Sequence, residues 1–124
     1  DFSPEDRTEN IRRTAEVANL FTKAGFIVLV SLISPYRSER KRARDIRPEI
    51  FREIYIEASL DVCSKRDVKG LYAKAMKGEI KNFTGISSPY EPPEMPNLVI
   101  NTSKCSIEES VKKLEKFILK EFSF

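Results

Sequence analysis

Three short segments carry residue types that could bind a ligand. They contain Ser34 after an apolar stretch, Lys69 in a group of charges before a glycine, and Phe83 in a proline-rich loop. Ligands of open α/β sheets bind beyond the carboxyl ends of the strands, and an exposed aromatic ring can stack on a base. Each residue also has a simpler role open to it: Ser34 can end a strand, Lys69 can belong to a solvated turn, and Phe83 can anchor its loop to the core.

Several kinds of site are excluded or unsupported because of what the chain lacks. It contains no histidine, so it cannot form a Ser-His-Asp or a Cys-His triad within itself. Its two cysteines, Cys63 and Cys105, are far apart in sequence and belong to no CxxC motif. A metal site or a disulfide scaffold therefore has no support in the cysteine pattern.

The composition is typical of one globular domain. The 124 residues are 40% hydrophobic and 33% charged, with a formal net charge of +3. No apolar run approaches the ~20 residues that cross a bilayer, and the N-terminal residues do not have the pattern of a signal peptide, so we expect neither membrane insertion nor secretion. The basic residues between Arg37 and Arg47 are more typical of a solvated helix face than of a nucleic-acid surface.

Capping residues predict where the helices begin and end. Ser3 and Pro4 are typical of a helix start, and Gly25 can end the helix that we predict from Pro4 to Ala24. Ser106 and Glu109 form a capping box that begins a last amphipathic helix. Further helices are predicted at 37–46, 60–66 and 70–77.

Three strands are predicted between these helices. Residues 26–33 are almost continuously apolar, which indicates a parallel strand that is buried on both faces. Residues 51–57 and 98–100 form the other two. The element order predicts a single α/β domain over residues 1–124, with a parallel sheet and helices on both faces. Because such sheets usually have more than three strands, we expect a further segment before residue 1.

The candidate segments in combination resemble adenylylsulfate kinases, which phosphorylate the 3′-hydroxyl of adenosine 5′-phosphosulfate. The resemblance covers essentially the whole chain and implies a fold of the P-loop kinase type. The stretches that carry it are Phe2-Ser3-Pro4-Glu5-Asp6-Arg7, Ile33-Ser34-Pro35-Tyr36, Arg66-Asp67-Val68-Lys69-Gly70-Leu71-Tyr72 and Phe83-Thr84-Gly85-Ile86.

The chain departs from the family pattern in three places. Family members begin with a strand and a P-loop, G-x-x-x-x-G-K-S/T, whose backbone and lysine hold the ATP phosphates. This motif and the Asp-Gly-Asp-Asn segment that follows it in the family are absent here, and Ser87 stands where an aspartate commonly follows Thr-Gly-Ile. The resemblance thus predicts the C-terminal two-thirds of a kinase, with the acceptor pocket and lid but without the phosphate cradle.

The resemblance implies roles for individual residues. The adenine of adenylylsulfate lies between Phe2 and Phe83, and Lys69 offsets charge on the transferred phosphoryl group. Ser34 matches a phosphoserine position of some members, but no evident base stands beside it in sequence, which favours direct in-line transfer with Ser34 as a binding residue. The other implied contacts are Arg7, Asn10, Ile33 and Asn82 at the acceptor nucleotide, and Arg66 and Cys105 at the ATP base. Cys105 could equally be an inert, partly buried cysteine.

The resemblance also implies ATP with Mg²⁺, adenosine 5′-phosphosulfate as acceptor, a cytoplasmic location, a homodimer, and no nucleic-acid or membrane partner. Two interpretations stay open. One is an adenylylsulfate kinase, alone or as part of a bifunctional sulfate-activation enzyme. The other is a non-catalytic nucleotide-binding remnant that retains the acceptor pocket. Taken literally, these residues are not expected to catalyse the transfer.

Overall fold

The computed structural model describes residues 3–122, which contain five α-helices and two β-strands. The helices are α1 (Pro4–Lys23), α2 (Arg37–Ile46), α3 (Leu60–Arg66), α4 (Leu71–Met76) and α5 (Ile107–Glu121). The strands are β1 (Ile54–Glu57) and β2 (Leu98–Asn101). The predicted helices are confirmed to within a residue or two.

The described residues form two compact units, drawn from 1–51 with 74–92 and from 52–73 with 93–124. In the first unit, α1 contacts α2. The Ser3 hydroxyl accepts a hydrogen bond from the amide of Asp6 at 3.1 Å, which satisfies one of the unpaired N–H groups at the start of α1. Ile11 of α1 is buried, and the hydroxyl of Thr8 donates to the carboxylate of Glu39 in α2.

The predicted strand at 26–33 is absent from the structure. Residues 24–36 contain no helix or strand, and the large apolar side chains among them are exposed, with Leu29 at 70% and Ile33 at 65%. A strand needs a hydrogen-bonded neighbour, and no described residue pairs with this stretch in a ladder. The predicted strand over residues 26–33, with burial on both faces, is therefore wrong for this structure.

The second unit contains the parallel sheet. Strands β1 and β2 pair in parallel with Ile54 opposite Leu98 and Glu57 opposite Asn101, and Ile100 is almost fully buried. Strand β1 is shorter than the predicted 51–57. Helix α5 contacts β2.

The capping box of α5 is confirmed. Ser106 accepts from the amide of Glu109 at 3.1 Å, and the Glu109 carboxylate accepts from the amide of Ser106 at 2.8 Å. At the C-terminal end of α5, Glu121 forms an ion pair of 2.6 Å with Arg52, which lies just before β1. The α/β class with a parallel sheet is thus confirmed, with two strands rather than three. No helix among residues 3–122 is long and apolar enough to cross a membrane.

Candidate functional site

The first turns of α1 hold one cluster of the predicted site residues. The guanidinium of Arg7 donates to the hydroxyl of Thr84 at 2.8 Å and also to the carbonyl of Asn82. Asn10 lies three residues further along the helix, which places it on the same side as Arg7. The structure therefore brings Arg7 together with the loop that carries Asn82 and Phe83, in agreement with their shared assignment to the acceptor nucleotide.

The loop around Phe83 folds back on its own backbone. The Phe83 carbonyl accepts from the amides of Ile86, Ser87 and Ser88 at 3.0–3.1 Å. The amide of Phe83 donates to the hydroxyl of Ser87 at 2.9 Å. Ser87 thus supplies the short polar side chain that closes this turn, a bond that an aspartate could also accept.

The Phe83 ring is only 8% exposed. That burial favours the role of Phe83 as an anchor for its loop, and it leaves little ring surface for a base in this structure. Its partner in the predicted adenine sandwich, Phe2, lies outside the described residues. The stacking role of both rings stays a prediction.

Ser34 lies in a turn whose backbone is unusual. Its φ is +36°, in the left-handed region, and its hydroxyl donates to the carbonyl of Leu32 over 3.5 Å, at the limit of a hydrogen bond. Among residues 3–122, Ser34 and Asn82 (φ +56°) are the non-glycine residues whose φ lies in the left-handed region, between +20° and +160°. Strained backbone of this kind concentrates at functional sites, and both positions are site candidates on independent grounds. Ile33, just before Ser34, is 65% exposed.

In the second unit, Arg66 and Cys105 come to the same turn. Arg66 donates to the hydroxyl and to the carbonyl of Thr102 at 3.0 and 2.6 Å, directly after β2. The amide of Cys105 donates to the carbonyl of Asn101 at 3.1 Å. The two residues that the resemblance implies at the ATP base are therefore positioned by one short segment, residues 101–105.

The thiol of Cys105 has a charged neighbour. The ammonium of Lys113 in α5 lies 2.9 Å from the sulfur, and this hydrogen bond raises the pKa of Lys113 above its usual range. Cys105 is only partly buried. The thiol of Cys105 thus has a polar partner within the chain, and its predicted contact with the ATP base stays a prediction.

Lys69 lies in the turn between α3 and α4. The Asp67 carboxylate accepts from the amides of Tyr72 and Ala73 at 2.9 and 3.0 Å, so this charge has a structural role at the start of α4. Gly70 has a φ of +65°, which suits the tight turn. Lys69 itself is exposed and makes no hydrogen bond or ion pair within the part of the chain that the structure describes.

A cleft of about 400 Å³ opens at the carboxyl ends of β1 and β2. Its polar lining includes Glu57, Ser59 and Asn101, and the Asn101 amide donates to the Glu57 carboxylate at 2.8 Å. Sequence reasoning did not identify these residues. The rule that α/β folds bind ligands beyond the carboxyl ends of their strands could have found them, because the predicted strands end at residues 57 and 100, within one residue of the observed ends.

Sequence reasoning also misjudged part of α2. The interpretation of its basic residues as a solvated face is wrong for Arg40, which is only 9% exposed. The neighbouring Glu39 is 4% exposed, and its Oε2 atom has no hydrogen-bond partner among residues 3–122. A run of charges does not reveal which of them face inward, so no signal in the sequence identified these two.

No group of three or more His, Cys, Asp or Glu side chains within residues 3–122 could hold a metal ion. Mg²⁺ that accompanies ATP is bound largely through the phosphates of the nucleotide and water, so the Mg²⁺ that the resemblance implies stays a prediction.

Comparison with known proteins identifies close relatives. The family model for adenylylsulphate kinase matches residues 1–101. The adenylyl-sulfate kinases of Acaryochloris marina and Halothermothrix orenii are 58% and 56% identical to the chain, each over 94% of it. The chain spans 58% and 63% of the lengths of these two relatives.

A solved structure is also similar to this chain in fold. The APS kinase CysC of Mycobacterium tuberculosis, in complex with AMPPNP and APS, superposes with a TM-score of 0.90 at 41% identity. The match covers 95% of this chain and 69% of that one. This similarity confirms the predicted P-loop kinase type of fold, and, with the family match over most of the chain, it establishes that the chain belongs to the adenylylsulfate kinase family.

Proposed function

We propose that this chain forms the acceptor side of an adenylylsulfate kinase, which transfers the γ-phosphate of ATP to the 3′-hydroxyl of adenosine 5′-phosphosulfate. The observation that carries the proposal is the contact of Arg7 with Asn82 and Thr84. It joins two segments, far apart in sequence, that the resemblance separately assigns to the same nucleotide. Membership of the family supports the assignment.

The chemistry of the cluster suits an anionic acceptor. Arg7 presents a planar guanidinium with five N–H donors, and such a fork binds adjacent phosphate and sulfate groups better than a lysine does. Asn10 adds a neutral donor and acceptor at a ribose. Ile33 and Ser34 would supply an apolar and a hydroxyl contact, and Phe83 would stack on the adenine together with Phe2.

The transfer itself needs little covalent chemistry from the protein, because positioning and charge stabilisation supply most of the rate in phosphoryl transfer. Lys69 is exposed and makes no ion pair in the described range, so its charge is available to a transferring phosphoryl group. Arg66 and Cys105 would border the ATP base. Ser34 binds and does not form a covalent intermediate, since no base is identified beside it.

Mg²⁺ would accompany ATP and neutralise charge on its phosphates. The alternative function is a nucleotide-binding remnant without catalysis. The kinase part of a bifunctional sulfate-activation enzyme, a cytoplasmic location and a homodimer are further proposals that follow from the resemblance.

A chimaera tests the proposal. The chain would be preceded by the P-loop segment expected in family members, taken from the Acaryochloris marina relative, and we call this protein the completed enzyme. It should form 3′-phosphoadenylyl sulfate from ATP and adenylylsulfate in a coupled assay. A folded completed enzyme that binds both nucleotides but forms no product would refute the kinase assignment and support the remnant.

A further inference from the structure

Arg40 of α2 holds the backbone of two loops at once. One nitrogen of its guanidinium donates to the carbonyl of Ser34 at 2.7 Å, and the other donates to the carbonyl of Glu91, also at 2.7 Å. The ring of Tyr90 lies 5.9 Å from the guanidinium carbon, within the range of a cation–π contact. Two donors of a guanidinium whose side chain is only 9% exposed therefore bind backbone carbonyls.

The Ser34 turn needs such support. A φ of +36° is disfavoured for a residue with a side chain, and it persists only where the surroundings hold it. Pro35, the next residue, is fully buried, and its carbonyl accepts from the amide of Glu91 at 2.8 Å. Glu91 is therefore connected to the turn twice, directly through Pro35 and indirectly through Arg40.

Arg37 strengthens the same connection. Its amide donates to the Glu91 carboxylate at 2.7 Å, and its guanidinium donates to the carbonyl of Pro92 at 2.8 Å. The loop of residues 90–92 is consequently held against the start of α2. Because that loop is held, the carbonyl of Glu91 is a fixed acceptor for one nitrogen of Arg40. The other nitrogen can then hold the carbonyl of Ser34 in place.

We propose that Arg40 is a positioning residue of the acceptor site: it fixes the left-handed backbone of Ser34 and so aims Ile33 and Ser34 at adenylylsulfate. The proposal rests on the proposed function, because it assumes that these two residues contact the acceptor. Arg40 acts through the backbone and does not itself touch the substrate.

The residue type fits this task. Two carbonyls in different loops require two donors in a fixed plane, which a guanidinium provides and an ammonium does not. A second arginine makes the same kind of contact. Asn82 is the other non-glycine residue in the described range whose φ lies in the left-handed region, and Arg7 donates to its carbonyl. In both places an arginine binds the carbonyl of the strained residue.

The competing explanation is that Arg40 only stabilises the fold. Arg40→Met keeps an unbranched apolar chain but removes both donors, and Arg40→Lys keeps the charge with a single donor group. Arg42→Met is the matched control, because Arg42 lies on the same helix and is exposed. All three would be made in the completed enzyme and compared for thermal stability, for the KM of each nucleotide, and for hydrogen exchange at the amides of Arg37 and Glu91, which are hydrogen-bonded across the Ser34 turn.

Arg40→Met should raise the KM for adenylylsulfate by about tenfold or more while the KM for ATP changes less than about twofold. Exchange at the amides of Arg37 and Glu91 should accelerate by a similar factor. Arg40→Lys should fall between wild type and Arg40→Met, and Arg42→Met should match wild type. A lowered melting temperature with both KM values and the exchange rates unchanged would overturn the proposal, as would equal increases in both KM values.

Two outcomes need separate readouts. If Arg40→Met does not fold, Arg40→Lys decides by the same split between the two KM values. If the wild-type completed enzyme is inactive, the proposed function fails by itself, whereas amide exchange at Arg37 and Glu91 still tests the positioning. Unchanged exchange in a folded Arg40 variant would then refute it.

Discussion

The guanidinium of Arg7 donates a hydrogen bond of 2.8 Å to the hydroxyl of Thr84, across 77 positions of sequence. A second bond from the same side chain reaches the carbonyl of Asn82. Phe83 lies between these two acceptors in sequence, so one arginine holds the chain on both sides of it. Under the proposed function, Arg7 would act on the acceptor nucleotide in two ways, through its own charge and through the loop that it holds.

Phe83 provides the first prediction. Phe83→Ala in the completed enzyme should weaken adenylylsulfate binding by ~1–3 kcal/mol, the value of one stacked base, with ATP affinity nearly unchanged. Calorimetric titration with each nucleotide measures both affinities.

Because the ring is also buried, Phe83→Leu is needed as a second variant. Leucine fills much of the same space and keeps the anchor, but it offers no aromatic face. It should lose adenylylsulfate affinity as Phe83→Ala does while losing less stability. Full affinity in Phe83→Leu would assign the ring to loop anchoring alone.

The second prediction concerns the hydroxyl of Ser34. Ser34→Ala should keep measurable kinase activity, because direct in-line transfer uses this side chain only for binding. A covalent route requires the hydroxyl. Complete loss of activity in a variant that folds and binds both nucleotides would favour a phosphoserine intermediate.

The backbone of Ser34 leads to a third prediction. At a φ of +36° a glycine escapes the strain that alanine and serine share. Ser34→Gly should therefore be more stable than Ser34→Ala by about 1 kcal/mol in urea denaturation. A less stable Ser34→Gly would mean that the left-handed conformation is not retained in solution.

Glu9 of α1 sets a pH dependence. Its carboxylate accepts from Arg12 and, at 2.7 Å, from Arg13, and these hydrogen bonds, that of Arg12 first, lower its pKa from 4.5 to about 2. A group whose pKa is lowered by folding adds stability above its unfolded pKa and loses it as the pH falls toward the folded value. The contribution of Glu9 should thus be complete above about pH 5 and vanish between pH 4.5 and 2.

The fourth prediction follows from the loss of this stabilising contribution as the pH falls. The melting temperature of Glu9→Gln should lie below that of the wild type near neutral pH, and the two should converge as the pH approaches 2. Glu16→Gln, on the same helix, is the control, because Glu16 accepts no arginine hydrogen bond within residues 3–122. A difference that persists unchanged down to pH 2 would contradict the assignment.

The elements that could be predicted from the sequence are those fixed by neighbouring residues. Ser3 begins α1, and the pair Ser106 and Glu109 begins α5, because their side chains bond amides only three positions away. The stretch 26–33 has strong strand character, but a strand also requires a partner that its own sequence does not specify. Its composition therefore could not establish whether it would be paired.

The site was predictable to a similar degree. The segments around Arg7, Ser34 and Phe83 stand out by residue type, whereas the inward direction of Arg40 depends on a loop about fifty positions away. The burial of Phe83 was left open by the sequence, since an apolar ring in a loop serves an anchor or a ligand equally well.

The fifth prediction concerns the 124 residues by themselves. They should form no 3′-phosphoadenylyl sulfate from ATP and adenylylsulfate, because they contain no G-x-x-x-x-G-K-S/T motif to hold the triphosphate and its Mg²⁺. Side chains such as Leu29 and Ile33 are exposed in this chain, so we also expect poor folding.

Adding the P-loop segment should restore both properties, with amide exchange at residues 26–33 slowed as a neighbouring strand pairs with them. The matched control carries the same segment with the P-loop lysine replaced by alanine, which should regain the protection of 26–33 without regaining activity. Product formed by the bare chain above a no-enzyme control would show that residues within it hold the ATP phosphates, and it would overturn the assignment of this chain to the acceptor side.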